Sequence, residues 1–142
     1  MFGGSIFNKT SLPVIKKTMD AAMLRNRAIS NNIANVTTPG YRRVEVSFED
    51  QLRKAMDGAS LRGASTRENH LRLGGENLSN VSARGYRPND PTLPSGVNNV
   101  DIDMEMAKLA ETQIQFNFAV KRTQGIYRKL NAAIQGRSIP LQ

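Results

Sequence analysis

Residues 102–134 read IDMEMAKLAETQIQFNFAVKRTQGIYRKLNAAI. Alternating steps of four and three from Ile102 reach Met106, Leu109, Gln113, Phe116, Val120, Thr123, Tyr127, Leu130 and Ile134, and only Gln113 and Thr123 among them are polar. An apolar register kept that long predicts a helix with a heptad seam, about 50 Å in length at about 1.5 Å per residue. Asp101, Asp103 and Glu105 stand at its start, and Lys121, Arg122, Arg128 and Lys129 lie toward its end. The helix macrodipole favours that order. Gly125 interrupts the run at a cost of about 1 kcal/mol relative to alanine, and a close crossing by another helix is one reason to keep it.

Residues 9–34 repeat the pattern on a smaller scale. The same stepping from Ile15 reaches Met19, Ala22, Asn26, Ile29, Ile33 and Val36, with Asn26 the one polar member. Ser11 is placed to cap this helix, and Pro13 falls in its first turn, where a missing N–H costs little. Further apolar residues lie off both seams: Val14, Ala21, Leu24 and Ala28 on the first helix, and Ala110, Ile114, Phe118 and Ile126 on the last. Such residues imply burial against more than one partner. A closed four-helix dimer buries them, and so does an open helical array built from heterologous contacts.

The segment between the helices has another character. From Asp57 to Val100, Gly, Pro, Ser and Asn supply 20 of 44 residues, a composition of turns and loops. A short helix is expected before it: Ser47 and Asp50 form a capping-box-like pair, Phe48, Leu52 and Met56 share a face, and Gly58 follows. Val44, Val46 and Phe48 alternate, so a short strand can lead into that helix, and His70 to Leu73 reads as another. The fold class is thus mainly α: long N- and C-terminal helices paired as a coiled coil, with a short helix and an irregular loop or short-strand middle. The corresponding divisions are residues 1–36, 37–100 and 101–142.

The first helix ends in Asn32-Ile-Ala-Asn-Val-Thr-Thr-Pro-Gly-Tyr-Arg42. Asn35 suits the left-handed conformation of a helix C-cap. Thr38-Pro39-Gly40 fits a type II turn, with Pro fixing φ and Gly supplying a positive φ. Tyr41 then packs back on the helix end with its hydroxyl exposed. Residues 77–87 read Asn-Leu-Ser-Asn-Val-Ser-Ala-Arg-Gly-Tyr-Arg and match the first copy at its Asn, Asn, Val, Gly, Tyr and Arg. One turn used twice and a chance likeness both account for this, and two copies do not make a solenoid.

Composition removes several alternatives. The chain has 142 residues, no cysteine and one histidine, so disulfides and Cys-ligated metals are excluded. Hydrophobic residues make up 39% and aromatic residues 6%, low for a compact enzyme and tolerable in a long helical protein. No apolar run reaches the roughly 18 residues of a transmembrane helix. The opening MFGGSIFNKTSLPVIKK lacks the features of a cleaved signal peptide.

The string NNIANVTTPGYRR, following a heptad helix, resembles the signature of bacterial flagellar axial proteins, the rod and hook components. The signature falls here on Asn32, Ala34, Asn35, Thr38, Pro39, Gly40 and Tyr41. The C-terminal string from Val100, through Asp101, Asp103, Glu105, Met106, Ala107, Lys108, Leu109, Ala110, Glu111 and Gln113, resembles basal-body rod proteins of the FlgB type, the proximal rod. Several axial proteins share the N-terminal signature, so another rod or hook component is the alternative. The second Asn-rich copy is not expected in that family.

The resemblance implies a structural subunit whose terminal helices polymerise into a tube above the MS ring and whose middle lies outside that tube. Motility depends on such a subunit. It implies as partners the chain itself, other rod proteins, MS-ring and rod-adaptor proteins, and the flagellar type III export apparatus. It places the protein in the periplasmic rod, exported without a cleaved signal. Ile15, Met19, Ala22, Ile29, Ile33, Ile102, Met106, Leu109, Phe116, Val120, Tyr127, Leu130 and Ile134 are the expected assembly seam.

Rival functions are weaker. The net charge of +8 permits phosphate contacts, but basic residues are spread over all three segments without aromatic interleaving, so no nucleic-acid partner is expected. His70 is flanked by Arg67, Glu68 and Arg72 in a loop-rich region, the setting of a surface histidine. Asp101 and Asp103 read as helix-start charge, and Gly74-Gly75 lacks the Lys-Ser/Thr of a phosphate loop. No catalytic residue, cofactor, metal or small-molecule substrate is expected. Phe2, Ile6 and Phe7 beside Lys9, Lys16 and Lys17 suit a membrane surface, but in a rod protein the same residues serve contact with the ring or export.

Overall fold

A computed structural model describes residues 11–60, 80–89 and 97–137. Among the described residues, three helices and two short strands follow one another: α1 (Leu12–Ala34), β1 (Glu45–Ser47), α2 (Glu49–Ser60), β2 (Arg84–Tyr86) and α3 (Ile102–Ile134). The described residues are mainly helical, as expected. β1 and β2 form an antiparallel pair in which Glu45 opposes Tyr86, Val46 opposes Gly85 and Ser47 opposes Arg84. The strand read from Val44, Val46 and Phe48 is therefore present, whereas the one read at His70 to Leu73 lies outside the described residues.

The ends of α3 are set by local chemistry. The Asp101 carboxylate accepts hydrogen bonds from the amides of Asp103 (3.0 Å) and Met104 (3.2 Å), and acidic Asp103 and Glu105 occupy the first turn. Both features stabilise an N-terminus whose first amides have no helical partner. At the other end Gly136 takes a φ of 63°. There the Gly136 amide donates to the Ala133 carbonyl (3.3 Å) and the Arg137 amide to the Ala132 carbonyl (3.0 Å), the paired bonds of a Schellman stop.

Two expected caps differ. Ser11 has helical backbone angles (φ −73°, ψ −1°) and makes no side-chain cap; only its carbonyl joins the ladder, accepting from the Ile15 amide at 3.0 Å. A capping side chain needs extended angles at that residue. In α2 the ladder starts one residue later than read, with the Leu52 amide on the Phe48 carbonyl (3.0 Å), so Ser47 is left in β1. α2 also runs through Gly58 to Ser60 instead of stopping before it.

α1 is the centre of the molecule. One side meets α2 and the chain before β2, where Ala21, Phe48, Ala55 and Val81 form a buried cluster with Leu52 and Ala83 packed against it. Lys17 ties the same region by donating to the Val81 carbonyl. The other side meets α3, and Ala22, Ala28, Ile29 and Asn32 are buried on α1 as well. The two long helices run antiparallel, since Asn32 reaches Glu105 and Arg25 reaches Gln115.

Candidate assembly site

The signature turn is built largely as its residues dictate. Gly40 has a φ of 72°, and the Tyr41 amide donates to the Thr38 carbonyl at 3.3 Å, closing a turn with Pro39 and Gly40 at its centre. Asn35 departs from expectation. Its φ is −109° and its ψ 15°, and among the described residues no residue other than glycine has a positive φ. It ends the helix by side-chain bonding instead: Nδ2 donates to the Asn31 carbonyl (2.8 Å), and Oδ1 accepts from the Thr38 hydroxyl (3.2 Å). The Tyr41 hydroxyl also departs, because it donates to Asn32 Oδ1 at 3.1 Å instead of standing in solvent.

Asn32 is the hub. Its side chain is 1% exposed and makes four hydrogen bonds. Nδ2 donates to the Val44 carbonyl (2.9 Å) and to Glu105 Oε2 (3.0 Å); Oδ1 accepts from Tyr41 and from the Val44 amide (2.9 Å). A buried amide with every donor and acceptor site used holds its neighbours in one arrangement. It joins the end of α1, the returning chain at Val44 and the first turn of α3. Glu105, itself 1% exposed, is a buried carboxylate that survives because Asn32 and the Lys108 ammonium (3.8 Å) face it.

A second layer surrounds this hub. Asn98 Nδ2 lies within hydrogen-bonding distance of the carbonyls of Asn35 (2.7 Å), Val36 (2.8 Å) and Thr38 (3.0 Å), and Asn99 Oδ1 accepts from the Arg43 amide (2.7 Å). The segment entering α3 is thereby fastened to the turn leaving α1. Glu45 on β1 accepts from Lys108 (3.1 Å) and from the Tyr86 hydroxyl (2.9 Å), linking α3, β1 and β2. Burial opposes the charge of Glu45, but hydrogen bonds from Lys108 and Tyr86, with the charges of Lys108 and Arg43, outweigh it and hold its carboxyl below the usual range. The same bond to the Glu45 carboxylate raises the Tyr86 phenol. Arg25 donates to both oxygens of Glu49 (2.7 and 2.8 Å) and to Gln115 (3.2 Å). These charged groups border a groove of about 420 Å³ between α1, β1 and α3.

The row of α3 buried within the chain is Glu105, Thr112 and Ala119, a seven-residue spacing displaced by one position from Met106, Gln113 and Val120. Of the expected seam, Ala22 and Ile29 are buried, and Ile15, Met19, Ile33, Leu109, Phe116, Val120 and Leu130 are half-buried. Ile102, Met106, Tyr127 and Ile134 remain exposed, at 46%, 52%, 51% and 75%. The displacement has a physical cause. Asn32 supplies a partner that draws Glu105 inward, and small Thr112 and Ala119 set the contact row. Gly125 has no close crossing within the described chain, since a Cβ there meets nothing within 4 Å.

The described parts of the two Asn-rich copies differ at their glycines. Gly40 occupies a left-handed turn, whereas Gly85 lies in β2 without a positive φ. Among the described residues there is no group of three or more His, Cys, Asp or Glu able to hold a metal, and no helix long and apolar enough to cross a membrane.

No family model matches the chain. Over 136 residues the chain is 30% identical to the flagellar basal body rod protein FlgB of Bacillus subtilis, spanning 96% of this chain and 97% of that one. The chain belongs to the FlgB family of flagellar basal body rod proteins. The FlgB of Borreliella burgdorferi is 31% identical over 122 residues (82% of this chain, 90% of that one), and that of Escherichia coli K12 is 28% identical over 117 (78% and 83%). As a FlgB protein the chain is a structural subunit of the basal-body rod, and the basal body is where it acts. The residues that matter are accordingly those that fix the helix pair and those that it leaves open. Asn98, Asn99, Arg25 and Glu45 belong to the first set and escaped the sequence reading; the paired asparagines just before α3 were their one visible signal.

Proposed function

We propose that this FlgB chain builds the proximal rod, directly above the MS ring, by polymerising through its paired terminal helices. The carrying observation is the exposure of Ile102, Met106, Tyr127 and Ile134 along a flank of the helix whose adjacent row, Glu105, Thr112 and Ala119, is already held by α1. Large apolar side chains left in water along one flank favour burial against a neighbour. The seven-residue spacing of Glu105, Thr112 and Ala119 supports coiled-coil pairing of α1 with α3. The clasp at Asn32 gives every subunit the same helix geometry, which a regular array requires. Neighbours in this reading are other copies, other rod proteins, and MS-ring and adaptor proteins. Delivery is by the flagellar export apparatus, with no cleaved signal, and the middle segment lies outside the tube.

The chain has no cysteine, so single cysteines report contacts cleanly. Met106→Cys and Tyr127→Cys are expected to form cross-links to neighbouring subunits in isolated basal bodies. Lys54→Cys, on the exposed side of α2, is expected not to. Equal cross-linking at all three positions contradicts the reading.

A further inference from the structure

The row of α3 packed on α1, formed by Glu105, Thr112 and Ala119, divides the helix into two flanks. One flank carries Met106 and Tyr127. The other carries Glu111, Gln115, Phe118, Arg122, Gly125 and Lys129, set at alternating steps of four and three. That spacing is one along which another helix can run.

This second flank is open along two connected hollows. The groove of about 420 Å³ beside β1 reaches from Glu105 to Gln115. From Gln115 a notch of about 190 Å³ continues to Arg122, bordered by Ala119, Ile15, Thr18 and Phe118. A cavity of about 150 Å³ accepts a benzene ring, so the notch has room for one large apolar side chain. Phe118 borders this hollow and is still 70% exposed. A large apolar side chain at the mouth of a hollow favours a partner that covers both.

Charge changes sign along the flank. Around the groove Arg25 meets Glu49, Arg43 and Lys108 meet Glu45, and Lys108 also faces Glu105. Glu111 accepts from Gln115 Nε2 (3.1 Å) and has no cation within ion-pair reach among the described residues. At the other end Arg122 and Lys129 have no carboxylate within that reach among the described residues, and no acidic residue follows Glu111 in the chain. Gly125 lies between these two cations, and a Cβ there would meet nothing within 4 Å. Lacking a side chain, it lets a crossing helix approach closely.

We propose that in the assembled rod this flank of α3 seats a helix of a different axial subunit. One large apolar side chain of that helix fills the notch beside Phe118. A basic residue of it faces Glu111, and an acidic residue faces Arg122 and Lys129. Glu111 and Arg122 are separated by about 16 Å of helix, so the partner's basic, apolar and acidic residues follow in that order over the same length. α3 itself runs from acidic to basic, so a second copy laid parallel at the same level sets like charge against like. The contact forms on assembly and requires no folded helix in the free chain. It rests on the rod reading and adds the chemistry of one neighbour.

The test replaces Phe118 with the photoreactive p-benzoylphenylalanine and irradiates isolated basal bodies. The adduct, mapped by mass spectrometry, is expected on a helix of a different axial subunit. The same label at Lys54 is expected to give no such adduct. Arg122→Glu with Lys129→Glu is expected to cut the chain retained in basal bodies by roughly tenfold, with the exported amount unchanged. Lys121→Glu with Arg128→Glu makes the same charge change off the stripe and is expected to cost less than about twofold. Changing the mapped acidic residue of the partner to lysine is expected to restore retention of the Arg122→Glu, Lys129→Glu chain. An adduct on a second copy or on no axial helix, equal losses from the two charge pairs, or no such rescue overturns the proposal and leaves the rod reading intact. Complete rods in a strain lacking the chain overturn the rod reading instead.

Discussion

Asn32→Ala removes four hydrogen bonds from a site that water does not reach. Tyr41 loses its acceptor, the Val44 amide and carbonyl lose their partners, and among the described residues Glu105 is left with the Lys108 ammonium at 3.8 Å. Leaving a buried polar group unmet costs about 1–3 kcal/mol, and more when it is charged. The shorter side chain lets water reclaim part of that, so a net loss of about 3–5 kcal/mol is expected. Domains of ordinary stability have only about 5–15 kcal/mol in total, so the loss is large. The assay is urea unfolding followed by helical circular dichroism. Asn31→Ala, on the exposed side of the same turn, is the control and is expected to stay within about 0.5 kcal/mol of native. If Asn32→Ala also stays within about 1 kcal/mol, the clasp is not what holds the helices together.

Other expectations follow from single features of the structure. Gly40→Val forces a β-branched residue into a φ of 72° and is expected to cost about 1–3 kcal/mol in the same unfolding assay. Gly125→Ala is expected to raise the thermal midpoint of the dilute chain, by up to about 1 kcal/mol in stability, because its Cβ enters open space. The Glu45 carboxyl titrates lower folded than unfolded, so its stabilisation is full above the ordinary carboxylate pKa of about 4.3 and is lost as pH falls toward the folded value. Glu45→Gln is expected to flatten the acid side of the stability profile, measured by unfolding at several pH values.

The long helices were legible because their signal is periodic. The register from Ile102 to Ile134 coincides with the ends of α3, and Val44, Val46 and Phe48 foretold β1. The turn was legible at Gly40 because few residues other than glycine adopt its backbone angles. What escaped was the side that α3 buries. Apolarity selected Met106, yet a carboxylate one residue earlier is buried, since Asn32 lies 73 residues away in sequence and beside it in space. A partner for a buried charge has no local signature. The same holds for Asn98, which ties the carbonyls of the turn from across the fold. Tyr41 and Asn35 show a milder failure: side-chain hydrogen bonds within the turn segment itself, from Tyr41 to Asn32 and between Asn35, Asn31 and Thr38, decided how the hydroxyl and the cap were used.

The proposed role makes the chain an indispensable piece of the proximal rod. The most direct measurement is electron microscopy of basal bodies from a strain deleted for its gene, with and without complementation. Membrane rings lacking a rod, in non-motile cells that regain rods and swimming with the native gene, are the result expected. Complete rods and normal swimming in the deleted strain would contradict that role.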